Sequence, residues 1–220
     1  MATMGITRIE PVRTISGNEP QTMWFPEAAA QTFLQGAVLN FNASGFVVEA
    51  TSNSTIGSGT EPGRLLGIAA APGLNLTTAA TPPSLPAIGA PVGGTSGFSS
   101  CVWVANSDTI FRANFCFTNG SGVAATAASS LFGAGTAASP GLVLVGNYPI
   151  VGGMYGITKL TATPGTNNWI VDAAKNTRAQ ARVIVVSFDP RGSSYPLDSD
   201  TFPVVDFIFV SQFTAFGMTS

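Results

Sequence analysis

Residues 36–50 read Gly36-Ala37-Val38-Leu39-Asn40-Phe41-Asn42-Ala43-Ser44-Gly45-Phe46-Val47-Val48-Glu49-Ala50, and this run decides the fold class. Two short stretches of aliphatic, branched and aromatic residues, 37–41 and 46–50, flank four small or polar residues that end in glycine. Neither stretch is long enough for an amphipathic helix, and Gly45 supplies the positive φ of a tight turn. The segment predicts a β-hairpin.

The same pattern recurs outward from it. Short runs bounded by Gly, Pro, Asn and Ser predict strands at 64–70, 101–105, 109–117, 142–145, 154–160, 169–172, 182–188 and 204–210, with a second hairpin about Asn106-Ser107-Asp108. In the last strand Val205, Phe207 and Phe209 share one face, and Val204, Asp206, Ile208 and Val210 share the other. Both faces are mostly apolar, which places the strand centrally or beneath another subunit and requires a cation such as Arg112 or Arg182 for Asp206. The expectation is an all-β chain, either a small β-barrel or β-tulip or a jelly-roll-like sandwich, with an extended N-terminal strap and long uncharged loops.

Residues 1–35 form that arm or strap, and 36–220 a single β domain. The arm carries Ile6, Ile9, Met23, Trp24 and Phe25 between breakers, and its one helical candidate is a turn or two over 26–35, opened by Pro26. Residues 71–100 and 118–140 are rich in Ala, Thr, Pro and Gly. Loops of that length usually carry function, and because these lack charge they are expected to lie on a partner. A short echo joins residues 45–50 to Asn168-Trp169-Ile170-Val171-Asp172-Ala173: each is an aromatic, two branched residues, an acid and alanine. Nothing else repeats in register, so the echo reads as the chance likeness of two strand ends.

Composition removes most chemistry. Of 220 residues 9% are charged, none is histidine, and the net charge is −2. Soluble domains usually carry about 25% charged residues, so something other than solvated charge covers this surface. No basic stripe exists to neutralise phosphates, which argues against nucleic acid as a partner. Without histidine there is no Ser-His-Asp or Cys-His machinery, and the commonest metal ligand is missing. Cys101 and Cys116 are too few for a disulfide framework and read as buried, reduced thiols. No run of about 20 apolar residues is available to cross a membrane as a helix. Arg8, Glu10 and Pro11 interrupt the N-terminus, so it does not read as a signal peptide, and synthesis in the cytoplasm is expected.

Two motifs fail on context. Gly133-Ala134-Gly135-Thr136-Ala137-Ala138 matches a loose dinucleotide pattern, without the strand, helix and acid that pattern needs. Asp189, Asp198 and Asp200 fall in one loop, without calcium-loop spacing or a second feature of a carboxylate hydrolase, and read as a solvated turn. No catalytic, cofactor-binding or metal-binding residue is assigned.

Taken in order, Gly36-Ala37-Val38-Leu39, Ser44-Gly45-Phe46-Val47-Val48-Glu49-Ala50 and Leu66-Gly67-Ile68-Ala69-Ala70 precede Val102-Trp103-Val104-Ala105 and Thr109-Ile110-Phe111-Arg112-Ala113. Tyr155-Gly156-Ile157, Trp169-Ile170-Val171-Asp172 and Arg182-Val183-Ile184-Val185-Val186 follow. This order resembles the head decoration, or capsid cement, proteins of tailed bacteriophages, over residues 36–70, 101–117 and 154–189. The resemblance implies a non-enzymatic virion protein that needs no cofactor, binds the outer surface of the capsid and stiffens it. Its partner is then the major capsid protein. The low charge and the two apolar faces of 204–210 add self-association, a homotrimer ahead of a homodimer. Candidate capsid or subunit contacts are Ile6, Ile9, Met23, Trp24, Phe25, Phe207 and Phe209. The alternative is a carbohydrate- or host-binding β module of a head spike, fibre or tail, with an aromatic platform at Trp24, Trp103 or Trp169.

Overall fold

The computed structural model describes residues 8–28, 31–42, 44–50, 65–73, 99–116, 118, 151–160, 169–176, 180–188, 204–211 and 214–215. The chain is all-β, with no α-helix among the described residues. Its strands are β1 (Glu10–Thr14), β2 (Thr22–Pro26), β3 (Val38–Phe41), β4 (Val47–Glu49), β5 (Leu65–Ala69), β6 (Ser99–Val104), β7 (Thr109–Cys116), β8 (Met154–Lys159), β9 (Trp169–Asp172), β10 (Val183–Phe188) and β11 (Val204–Phe209).

These strands make two barrels. In the first, the order is β2-β6-β5-β3-β4, every neighbour antiparallel, and a parallel bridge from Glu27 to Val47 returns the last strand to the first. In the second, the order is β7-β11-β10-β8-β9, closed by a parallel pairing of β9 with β7. Numbered within each barrel, both run first, fifth, fourth, second, third. The stagger is shared too. Around the first barrel the pairs Glu27↔Val47, Phe41↔Val47, Leu39↔Gly67, Gly67↔Val104 and Met23↔Val102 return to β2. Around the second, Phe115↔Val171, Ile157↔Val171, Tyr155↔Val183, Val183↔Phe209 and Phe111↔Phe207 return to β7 at the equivalent position. Met23 is thereby equivalent to Phe111, and Glu27 to Phe115.

The echo between 45–50 and 168–173 falls on equivalent strands but not on equivalent residues. Both stretches hold the third strand of their barrel. Structural equivalence pairs Val47 with Val171, one residue out of step with the sequence match, so Glu49 and Asp172 fall on different faces.

Interior positions alternate along the strands and explain the sequence. Phe25 and Phe41 meet edge-on across the first barrel at 5.5 Å. In the second, Phe111 packs against Phe207 and Phe209, and Phe115 against Tyr155 at 5.0 Å. Each fully buried side chain of this size contributes roughly 1.5–3 kcal/mol. Strand β11 lies between β10 and β7, with Val205, Phe207 and Phe209 fully buried on one face and Val204, Ile208 and Val210 half-buried on the other.

Four expectations need correction. Strands β6 and β7 do not form a hairpin: the Asn106 side chain accepts the N–H of Asp108 (3.0 Å) and of Thr109 (2.7 Å), and the chain passes from one barrel to the other. The arm is not a separate strap, because β1 pairs with β7 and β2 with β6. No helix spans the described part of 26–35, since Pro26 ends β2 and Glu27 makes the bridge that closes the barrel. Removing the first 25 residues would strip both barrels of strands, so truncation does not isolate a docking arm. The predicted strand at 142–145, the glycine motif at 133–138 and the acidic loop at 189–200 lie outside the described residues, as do most of the two long loops.

The crossovers between barrels, 15–21 and 105–108, are tied side by side. The N–H of Ile15 donates to the Asp108 carbonyl (2.8 Å), while the N–H and hydroxyl of Ser16 donate to its carboxylate (2.8 and 2.6 Å).

Candidate functional site

The sequence-predicted contact residues divide by burial. Ile9, Phe207 and Phe209 are fully buried in the core, and as contacts to a partner they are withdrawn; Ile6 lies outside the described residues. Phe25 is half-buried against Phe41. Met23 and Trp24 are on the surface, Trp24 with 62% of its area exposed. Of the proposed aromatic platforms, Trp169 is 2% exposed and excluded, whereas Trp103 is half-buried one diagonal step from Trp24 on the neighbouring strand.

Strand β2 is what positions Met23 and Trp24. One edge of it is taken by β6. The N–H of Val104 donates to the Gln21 carbonyl at 3.0 Å, so by antiparallel alternation Gln21 and Met23 make the bonds to β6 while the backbone groups of Thr22 and Trp24 point the other way. On that outer edge no strand pairs with Thr22 or Trp24 among the described residues. Pro26 brings no N–H to it. The result is a short open edge flanked by an exposed indole and a thioether.

The buried clusters around Asp206 and Asp172 look at first like reactive groups and are instead internally satisfied. Asp206 on β11 faces Arg112 on β7 as the Cα partner, and the guanidinium grips it twice, Nε to Oδ1 at 2.7 Å and Nη2 to Oδ2 at 3.1 Å, with the Ser187 hydroxyl donating at 3.0 Å. Of the two cations expected for Asp206, Arg112 is the one used. Arg182 is buried, donates to the Ala181 carbonyl at 2.9 Å, and has its pKa lowered by that burial. Asp172 is wholly buried and accepts from the Thr118 N–H and hydroxyl, the Thr158 hydroxyl and the Ala174 N–H. Lys175 donates to Thr158 Oγ1 at 2.6 Å and stands 3.8 Å from Asp172. Burial lowers its pKa, opposed by the Asp172 charge. A lysine beside a threonine hydroxyl resembles an activated nucleophile, but Thr158 and Asp172 have no exposed area and a substrate cannot reach them.

Between the barrels, Glu49 on β4 accepts from Lys159 Nζ at 2.7 Å and from the Trp169 indole N–H at 2.9 Å. This clip and the tied crossovers link the two barrels. Cys101 is half-buried with its thiol pKa raised by burial, Cys116 is buried, and the two stand on strands of different barrels. Cys101 is therefore not poised as a thiolate. Among the described residues no three acidic or sulfur side chains gather as a metal site.

No known family, curated protein or solved structure matches the chain. Among the described residues, the β2 edge presents backbone groups that no strand pairs beside an exposed indole. Sequence patterning singled out Met23 and Trp24 by their size between breakers. It had no signal for the backbone groups of Thr22, because an open edge is defined by a strand that is not there.

Proposed function

We propose that this protein is a non-enzymatic structural component of a virion that binds the outer surface of a capsid and stabilises it, with the major capsid protein as partner. The observation that supports this reading is the β2 edge, where Trp24 and Met23 stand exposed beside backbone groups that no strand among the described residues pairs. Inside the fold, by contrast, the carboxylates of Glu49, Asp172 and Asp206 are each held by internal donors. Large exposed apolar groups beside polar backbone are what a protein interface uses, with aromatic residues and methionine enriched at its centre. A decoration protein repeats such a contact at each lattice position, so weak sites sum over the shell. Neighbouring copies on the lattice give the setting for self-association.

The test is binding to empty shells lacking the protein, read by sedimentation and electron microscopy. Wild-type protein should saturate regular lattice positions and raise the temperature at which shells rupture, and Trp24→Ala should lower occupancy at least tenfold. Shells left bare at micromolar protein would overturn the proposal. Specific binding on a glycan array, lost with Trp24→Ala, would instead establish the carbohydrate-binding alternative.

A further inference from the structure

The equivalence of the two barrels says what an open β2 edge is shaped to receive. In the second barrel, β7 gives one edge to β11 and divides the other: Phe115 and Cys116 pair with β9, while Thr109 to Arg112 pair with β1, antiparallel. In the first barrel, β2 likewise gives one edge to β6 and, at Glu27, meets β4. The positions equivalent to Ile110, Phe111 and Arg112 are Thr22, Met23 and Trp24. In the second barrel they are covered by a strand, through Arg13↔Ile110, Pro11↔Phe111 and Glu10↔Arg112. In the first, no strand of the described residues covers them.

We infer that an extended segment of the capsid protein completes the first barrel, adding antiparallel to the β2 edge at Thr22–Trp24 as β1 adds to β7. This rests on the capsid-binding reading and specifies its mode. Strand addition supplies affinity through main-chain bonds and selectivity through alternate side chains. The incoming segment carries apolar side chains here, because Trp24, exposed and uncharged, stands where the second barrel has Arg112 turned inward to Asp206. The other open edge, the outer side of β1, is defended: Glu10, Pro11 and Arg13 line it, and a register break between Pro11 and Arg13 bends it. On β2 that defence is limited to Pro26.

The experiment separates the backbone contact from the side-chain patch. Thr22→Pro deletes an N–H that faces away from β6 and leaves Met23 and Trp24 in place; Thr22→Val keeps the N–H and removes the hydroxyl. Binding to empty shells should fall at least tenfold for Thr22→Pro and stay within twofold of wild type for Thr22→Val. In parallel, hydrogen exchange of a wild-type peptide covering 21–25 is compared free and shell-bound, with slowing of at least tenfold expected at Thr22 and Trp24 on the shell. Should Thr22→Pro not fold, this exchange measurement decides alone. Wild-type binding with unslowed exchange at both amides, or with a folded Thr22→Pro that binds as tightly, refutes strand addition and leaves the capsid reading standing. No binding by wild type overturns both.

Discussion

Replacing Arg112 by methionine tests whether the Arg112–Asp206 pair is a necessity of the second barrel or a convenience. The side chains are 6% and 5% exposed, the contact is two-pronged, and the remaining partner of Asp206 is one serine hydroxyl. Methionine keeps most of the buried volume and leaves the carboxylate charged with that hydroxyl alone. Removing one member of a buried pair costs about 3–5 kcal/mol. In a chain of this length 1 kcal/mol moves the melting temperature by about 2–4 °C, so Arg112→Met should melt roughly 6–20 °C lower. The double variant Arg112→Met with Asp206→Leu removes the stranded charge along with its partner and should recover most of the loss. Arg8→Ala, which breaks the exposed Arg8–Glu10 contact at 3.3 Å, serves as the control and should change stability by less than about 1 kcal/mol. Urea titrations and calorimetry measure all three. The reasoning is refuted if Arg112→Met costs under about 1 kcal/mol, or if the double variant is no more stable than the single one.

Lys175 has a folded-state pKa below 10.5, so between that lowered value and 10.5 the unfolded chain binds more protons and wild-type stability should rise with pH; Lys175→Met should flatten that slope in urea melts from pH 8.5 to 10.5. Glu49→Gln weakens the clip between barrels and should cost about 1–2 kcal/mol, read by calorimetry and by a shift in Trp169 emission. At Gly67 a Cβ would stand 2.1 Å from the Trp103 carbonyl oxygen, so Gly67→Ala should destabilise by at least about 1–3 kcal/mol in chemical denaturation. Thiol reagents should label Cys101 slowly and Cys116 only after denaturation, as followed by mass spectrometry.

Strand identity was legible from residues 36–50 onward because branched and aromatic runs between turn formers have few other uses. The hairpin about Gly45 exists, with φ of 80° there and the Asn42 side chain accepting from the N–H of Ser44 and Phe46. The turn at Asn106 misled because an asparagine that caps the amides two and three residues on serves a crossover as well as a hairpin. The first 35 residues misled for another reason. Glu10-Pro11-Val12-Arg13-Thr14 is a poor strand by propensity and becomes one because β7 offers it an edge. The shared strand order of the two barrels was not legible, since they fill the same geometry with different side chains and the six-residue echo runs one residue out of step with it.

That difference bears on how the chain finds its own partners during synthesis. Two barrels of one strand order within one polypeptide invite a strand of either to enter the other, and tandem repeats misfold in this way. Here the interiors are not interchangeable in volume. Gly67 pairs with Val104 where Val183 pairs with Phe209, so β11 placed beside β5 would set a phenyl group against a backbone already in contact, and β6 placed beside β10 would leave a void. The first barrel is also complete in the sequence by Val104, before any strand of the second except β1 has been made. β1 must then wait from Thr14 until Thr109 emerges for its partner, and its proline and two charges disfavour pairing with the wrong edge in the interval.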